Sequence, residues 1–189
     1  MKTLVIHPDD RSTDFLRPIY QNIPDATVIT KNITAHTLMG VIRANDQIIM
    51  LGHGSPFGLF NVSGIGQGLF AIGSQHADLL RDKKCIYIWC NADVFVRRHN
   101  LPGLYTGMFI SEVAEAEYCK VLTEQKQVDT SNDLFAELLG KQLIKTSNDY
   151  EAIHSAIKTE YGVLAADNAV AEYNLDRWYI SYIQLLQLS

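Results

Sequence analysis

Two apolar runs in this chain each break off at a residue capable of chemistry. The run IIML at 48–51 is followed by Gly52, His53 and Gly54, and the run CIYIW at 85–89 ends on Cys90. Four or five apolar residues in succession do not suit a strand with one wet face. Both runs therefore read as strands buried on both faces, the habit of a parallel sheet. Ligands and reacting groups collect at the carboxyl ends of the strands in such sheets. If the two strands lie side by side, about 5 Å apart, His53 and Cys90 share one edge. An imidazole beside a thiol suits nucleophilic acyl transfer, with sulfur attacking and the ring moving the proton. Gly54, without a side chain, can aim its backbone N–H into the same space and, with the N–H of Cys90, hold an oxyanion. His53 and a helix N-terminus are expected to lower the Cys90 pKa, so that it alkylates faster than Cys85 and Cys119.

The elements that must position these residues alternate. KTLVIH (2–7) reads as a first strand, followed by a polar turn and short helix in PDDRSTDFLRPIYQNI (8–23). ATVITK (26–31) is a second strand, and Thr34 caps a helix in TAHTLMGVIRAN. QIIMLG is the third strand, and a Gly-rich loop with a small hairpin follows it. QHADLLRD is helical, KCIYIWC (84–90) is the fourth strand and LYTGMFIS (104–111) the fifth. Strands alternating with helices imply right-handed crossovers and a mainly parallel sheet covered on both faces. Beyond 111 the pattern turns helical. One helix is expected from a Ser131 or Asn132 cap, another from an Asn148/Glu151 capping pair to Gly162, and a last helix or pair of helices beyond. Cys85 and Cys119 read as small hydrophobes.

The motif LGHGS around His53, with a second buried strand ending in Cys90, resembles the caspase-type cysteine peptidases, which include caspases, legumains, gingipains, clostripains and separases. The likeness covers the topology of residues 1–111 and two short motifs. The length and the alternation of elements give one domain over 1–189, an α/β three-layer sandwich with an additional helical C-terminal third, and the resemblance implies that its mainly parallel sheet is caspase-like. It also implies a catalytic dyad of Cys90 and His53, with Gly54 assisting the oxyanion and the histidine protonating the leaving group. The substrate would be a peptide or protein.

The chain departs from the family immediately before the cysteine. The family usually has a small residue there and a polar or acidic one just earlier, which helps define the pocket for the side chain preceding the scissile bond. Here these are Trp89 and Ile88. The pocket wall then falls to the loop after the first strand, which offers Asp9 and Asp10. Trp89 would narrow the pocket, Asp93 would add polarity beyond the cysteine, and Glu112 would approach from beyond the fifth strand. A carboxylate in a partly desolvated pocket favours Arg or Lys, so cleavage after basic residues is expected. The atypical IWC also suggests the rival function, a catalytically inactive caspase-fold scaffold or binding protein.

A net charge of −5 without a Lys/Arg cluster argues against nucleic-acid binding. No apolar stretch is long enough to cross a bilayer, and acidic residues arrive too early for a signal peptide. Three cysteines without regular spacing suit a reducing, cytoplasmic setting. No cofactor is expected. His7, His53, Cys90 and Asp9 are zinc-ligand types, but no CxxC or HExxH spacing demands a metal. GxSxG and Walker A are absent. The aromatic tail EYNLDRWYISYIQLL reads as a packing face and the best candidate surface for a homodimer.

Overall fold

The computed structural model describes residues 1–31, 34–62 and 68–182. The middle of the Gly-rich loop (63–67) and the end of the expected last helix (183–189) lie outside them. In chain order the strands are β1 (Thr3–Ile6), β2 (Thr27–Ile29), β3 (Gln47–Leu51), β4 (Gly54–Ser55), β5 (Gly58–Phe60), β6 (Phe70–Ile72), β7 (Lys84–Ile88), β8 (Gly103–Thr106) and β9 (Trp178–Ser181). The helices are α1 (Ala35–Arg43), α2 (Ala77–Leu80), α3 (Ala92–His99), α4 (Val113–Tyr118), α5 (Gln125–Lys145), α6 (Tyr150–Ala165) and α7 (Ala169–Leu175), and a 3₁₀-helix runs over Arg11–Ile19.

The main sheet has six strands in the order β2-β1-β3-β7-β8-β9, all parallel except β9, which runs antiparallel to β8. The fold is α/β. Alternation along the strands divides the core in two. Val5, Ile49, Leu51, Ile86, Ile88 and Leu104 face the 3₁₀-helix, α5, α6 and α7. Leu4, Ile6, Ile48, Met50, Tyr87 and Trp89 face α1, α2 and α3. Helices thus cover both faces of a sheet whose central strands are fully buried, which is why their sequences read as unbroken apolar runs. Thr34 caps α1 as expected, in a reciprocal pairing with Thr37. The hairpin expected after β3 is a small three-stranded antiparallel sheet, β4-β5-β6.

Several boundaries differ. The fifth strand is shorter than 104–111, ending at Thr106. Helix α5 begins at Gln125, and Ser131 and Asn132 lie inside it as buried residues. They do not cap it: Ser131 Oγ hydrogen-bonds Tyr161 Oη at 2.6 Å, and Asn132 Nδ2 donates to the Ser111 carbonyl at 2.9 Å. The cap of α6 is Asp149, whose carboxylate accepts from the Glu151 and Ala152 amides, and the helix passes Gly162 to end at Ala165. The largest difference is β9, where a helix was expected. Trp178 is buried among Phe135 and its neighbours, and its strand completes the sheet by pairing with β8. Among the described residues no helix is long and apolar enough to cross a membrane.

Candidate functional site

The β3/β7 ladder sets the site. Its last pair places Leu51 opposite Ile88, and the Gly52 amide donates to the Ile88 carbonyl at 3.0 Å. His53 and Cys90 each follow two residues beyond that pair. They therefore leave neighbouring strands at the same level and, by the period of two, toward the layer that holds Leu51 and Ile88. Both border a small cavity of about 20 Å³ between the strand ends and the 3₁₀-helix, with Phe15, Leu16, Ile88 and Phe109 also in its wall. After Cys90 the chain turns through Asn91, which holds a left-handed conformation (φ 65°) that asparagine tolerates better than most residues, and enters α3.

Cys90 is half-buried. Its single Sγ–H proton has two acceptors in reach, the Phe109 carbonyl at 3.3 Å and Glu115 Oε1 at 3.5 Å. The expected fall in its pKa is overturned. Burial, reinforced by the Glu115 charge, pushes the thiol up to about 12. The resting group is a thiol, because desolvation and a carboxylate both disfavour the anion. Cys85, sealed in the core, is likewise pushed up to about 12 by burial, so these two thiols differ in accessibility and not in pKa. Glu115 is fixed by its other oxygen. Oε2 accepts from the Ser111 amide at 2.7 Å, the Ser111 hydroxyl at 2.9 Å and the Glu112 amide at 3.2 Å. These are the orphan donors at the start of α4, which explains why an acidic residue stands at that offset.

His53 is held from the loop after β1. Its Nε2 lies 2.7 Å from Ser12 Oγ and 3.9 Å from Asp10 Oδ2. The Ser12 hydroxyl proton goes to Asp10 Oδ1 at 2.8 Å, and the Ser12 amide donates to the same oxygen at 3.0 Å. The amide bond, above all, holds the Asp10 carboxyl below its ordinary pKa. With its only proton committed, Ser12 Oγ can only accept from the histidine. Neutral His53 is therefore protonated at Nε2, which leaves the Nδ1 lone pair available.

The remaining candidates are placed as follows. Asp10 is the N-cap of the 3₁₀-helix and approaches His53. Asp9 instead pairs with Lys31 at 3.2 Å and Arg17 at 3.8 Å. Asp93 is in the first turn of α3 and pairs with Arg97 at 3.4 Å. Glu112 is the exposed N-cap residue of α4. None of these four carboxylates borders the cavity. Trp89 does border it, but its indole packs in the opposite layer against Tyr87 and Phe95 and donates to the Ser55 carbonyl at 3.1 Å. Gly54 lies under that indole. A Cβ there would come within 2.2 Å of Trp89 Cδ1, so only glycine fits.

His7, the other strand-end histidine, is buried with both ring nitrogens engaged, by Tyr20 Oη and Thr13 Oγ1 at 3.0 Å each. It has no lone pair to spare for a metal. No group of three or more His, Cys, Asp or Glu residues is gathered to hold a metal ion among the described residues. The sequence reading missed Ser12 and Glu115. Each carried a local signal: Asp-x-Ser forms an Asx turn at a helix start, and Glu115 stands three residues after Glu112, the N-cap-to-N3 offset of a capping box. Comparison with known protein families, with curated proteins and with solved structures gives no match.

Proposed function

We propose that this chain is a cysteine peptidase of caspase-like type, with Cys90 as nucleophile and His53 as proton carrier. The observation that carries the reading is the β3/β7 register, which sends an imidazole and a thiol from equivalent positions of adjacent strands into one cavity. The Cys90 sulfur forms a bond to the scissile carbonyl carbon while its proton leaves for a base. Its resting acceptors are the Phe109 carbonyl and Glu115 Oε1, and the proton reaches the Nδ1 lone pair of His53 as the substrate displaces those contacts. The C–N bond then breaks, its nitrogen taking that proton and leaving as an amine, and the acyl group stays on sulfur as a thioester. Water attacks the thioester, releasing a carboxylic acid and restoring the thiol.

The supporting arrangement is consistent with this division of work. In an antiparallel ladder alternate pairs carry the hydrogen bonds. The Phe60 amide donates to the His53 carbonyl at 2.8 Å. The next pair, Gly54 with Leu59, is then the unbonded kind, and the Gly54 N–H is directed away from β5. That freedom suits an oxyanion donor.

The second reading, a catalytically inactive caspase-fold binding protein, is favoured by the raised Cys90 pKa. Labelling with a peptidyl electrophile separates the two. The peptidase reading expects covalent mass gain on Cys90 in the wild type, none in Cys90→Ala, and slowed labelling in His53→Ala. Labelling no faster than with a small haloacetamide contradicts it.

A further inference from the structure

Resting on the peptidase reading, we infer that the cavity beside Cys90 receives an aliphatic side chain of the substrate, the one on the acyl side of the scissile bond, and excludes a basic one. The cavity shares a wall with Cys90 and His53, so a carbonyl at the sulfur brings the side chain of its own residue to the cavity mouth. The wall there is apolar: Phe15 and Leu16 from the 3₁₀-helix, Ile88 from β7, and Phe109. Its enclosed volume is small, about 20 Å³, so the side chain lies along the apolar wall at the mouth.

The polar groups that border it, apart from the His53 Nδ1 that takes the Cys90 proton, are already engaged. Thr13 Oγ1 donates to the Asp10 carbonyl and meets His7 Nε2, each at 3.0 Å. Ser111 Oγ donates to Glu115, and His53 Nε2 is on Ser12. None of the nearby carboxylates borders the cavity. Asp10 Oδ1 accepts twice from Ser12, Glu115 Oε2 accepts from three donors, and Asp9 lies between Arg17 and Lys31. A lysine, an arginine or an acidic side chain entering the cavity would give up its hydration against an apolar wall. An aliphatic side chain loses nothing polar and gains apolar contact. In such a pocket each methylene is worth roughly tenfold or more in rate.

The test uses peptidyl electrophiles identical except for the side chain next to the reacting carbonyl: Ala, Leu, Lys or Glu. Labelling rates of Cys90 are measured by mass spectrometry on the full chain, with chloroacetamide as the reference for the bare thiol. The expected result is a rate for Leu about tenfold or more above those for Lys and Glu. In Phe15→Asp, which places a carboxylate in the wall, the Lys-to-Leu ratio should rise. Fastest labelling by the Lys or Glu compound in the wild type overturns the inference while leaving the peptidase reading intact. Equal rates for all four compounds, each no faster than chloroacetamide, overturn that reading and the inference together.

Discussion

Glu115 sets two properties at once, and they can be separated by removing its charge while keeping its shape. Glu115→Gln retains an oxygen for the Ser111 and Glu112 donors, so α4 keeps its start. It removes the anion that, after burial, is the next largest reason for the raised Cys90 pKa. Burial persists, so the thiol should fall by about one unit rather than return to an ordinary value. A lower pKa also makes a weaker nucleophile, which offsets part of the gain in thiolate. Cys90 alkylation near neutral pH should therefore rise about threefold, read from the pH profile of iodoacetamide labelling. An unchanged profile would remove Glu115 from the account of the site. Neither Glu115 nor Ser12 was visible as a site residue from its neighbours in sequence. Each has an adequate local duty as a helix-start residue, and only the crossing of distant segments brings it to Cys90 or His53.

At the scale of elements, the buried strands were legible and the chain after Ser111 was less so. β3 and β7 announce themselves because burial on both faces demands a continuous apolar run, and the reactive residue at each end follows from that. β9 does not, since a four-residue WYIS after a helix is as compatible with one more helical turn. Its conformation is decided by the β8 edge it pairs with, a partner far away in sequence. Ser131 and Asn132 misled for the same reason. Cap-forming residues sit inside α5 because their side chains have distant partners in Tyr161 and Ser111.

The join between β1 and the 3₁₀-helix gives a prediction of its own. His7 ties the two through Thr13 and Tyr20, and burial, aided by Arg17, lowers its pKa to about 4. The unfolded chain binds this proton near the ordinary 6.5, so the unfolded state takes it up first as the pH falls. The stabilisation is full above that value, declines as the pH drops from about 6.5, and is lost by about 4. Between pH 7 and 4.5 the loss should be about 2 kcal/mol. Urea unfolding at the two pH values should show this decline in the wild type and a shallower one in His7→Gln. Equal declines would mean that other groups carry the acid sensitivity.

Across the whole molecule, the C-terminal third and the sheet share one core. Trp178 meets Phe135 of α5 edge-to-face at 5.5 Å and stacks on His154 of α6, while its own strand hydrogen-bonds to β8. Trp178→Ala should cost about 3–5 kcal/mol and, because the core that holds Trp178 joins the sheet to the C-terminal helices, shift a single unfolding transition rather than split it. Urea denaturation followed by far-UV dichroism and by tyrosine fluorescence checks both points. That shared core also holds the catalytic proposal together, since the 3₁₀-helix that carries Ser12 and Phe15 packs against α5 on one side and faces the strand ends on the other. The most direct measurement of the proposal is cleavage itself. A complex mixture of peptides is incubated with the wild type, Cys90→Ala and His53→Ala, and new termini are identified by mass spectrometry. The account predicts new termini with the wild type, predominantly after aliphatic residues, and their loss in both folded variants. Termini that persist in Cys90→Ala, or a mixture left uncut by the wild type, would contradict it.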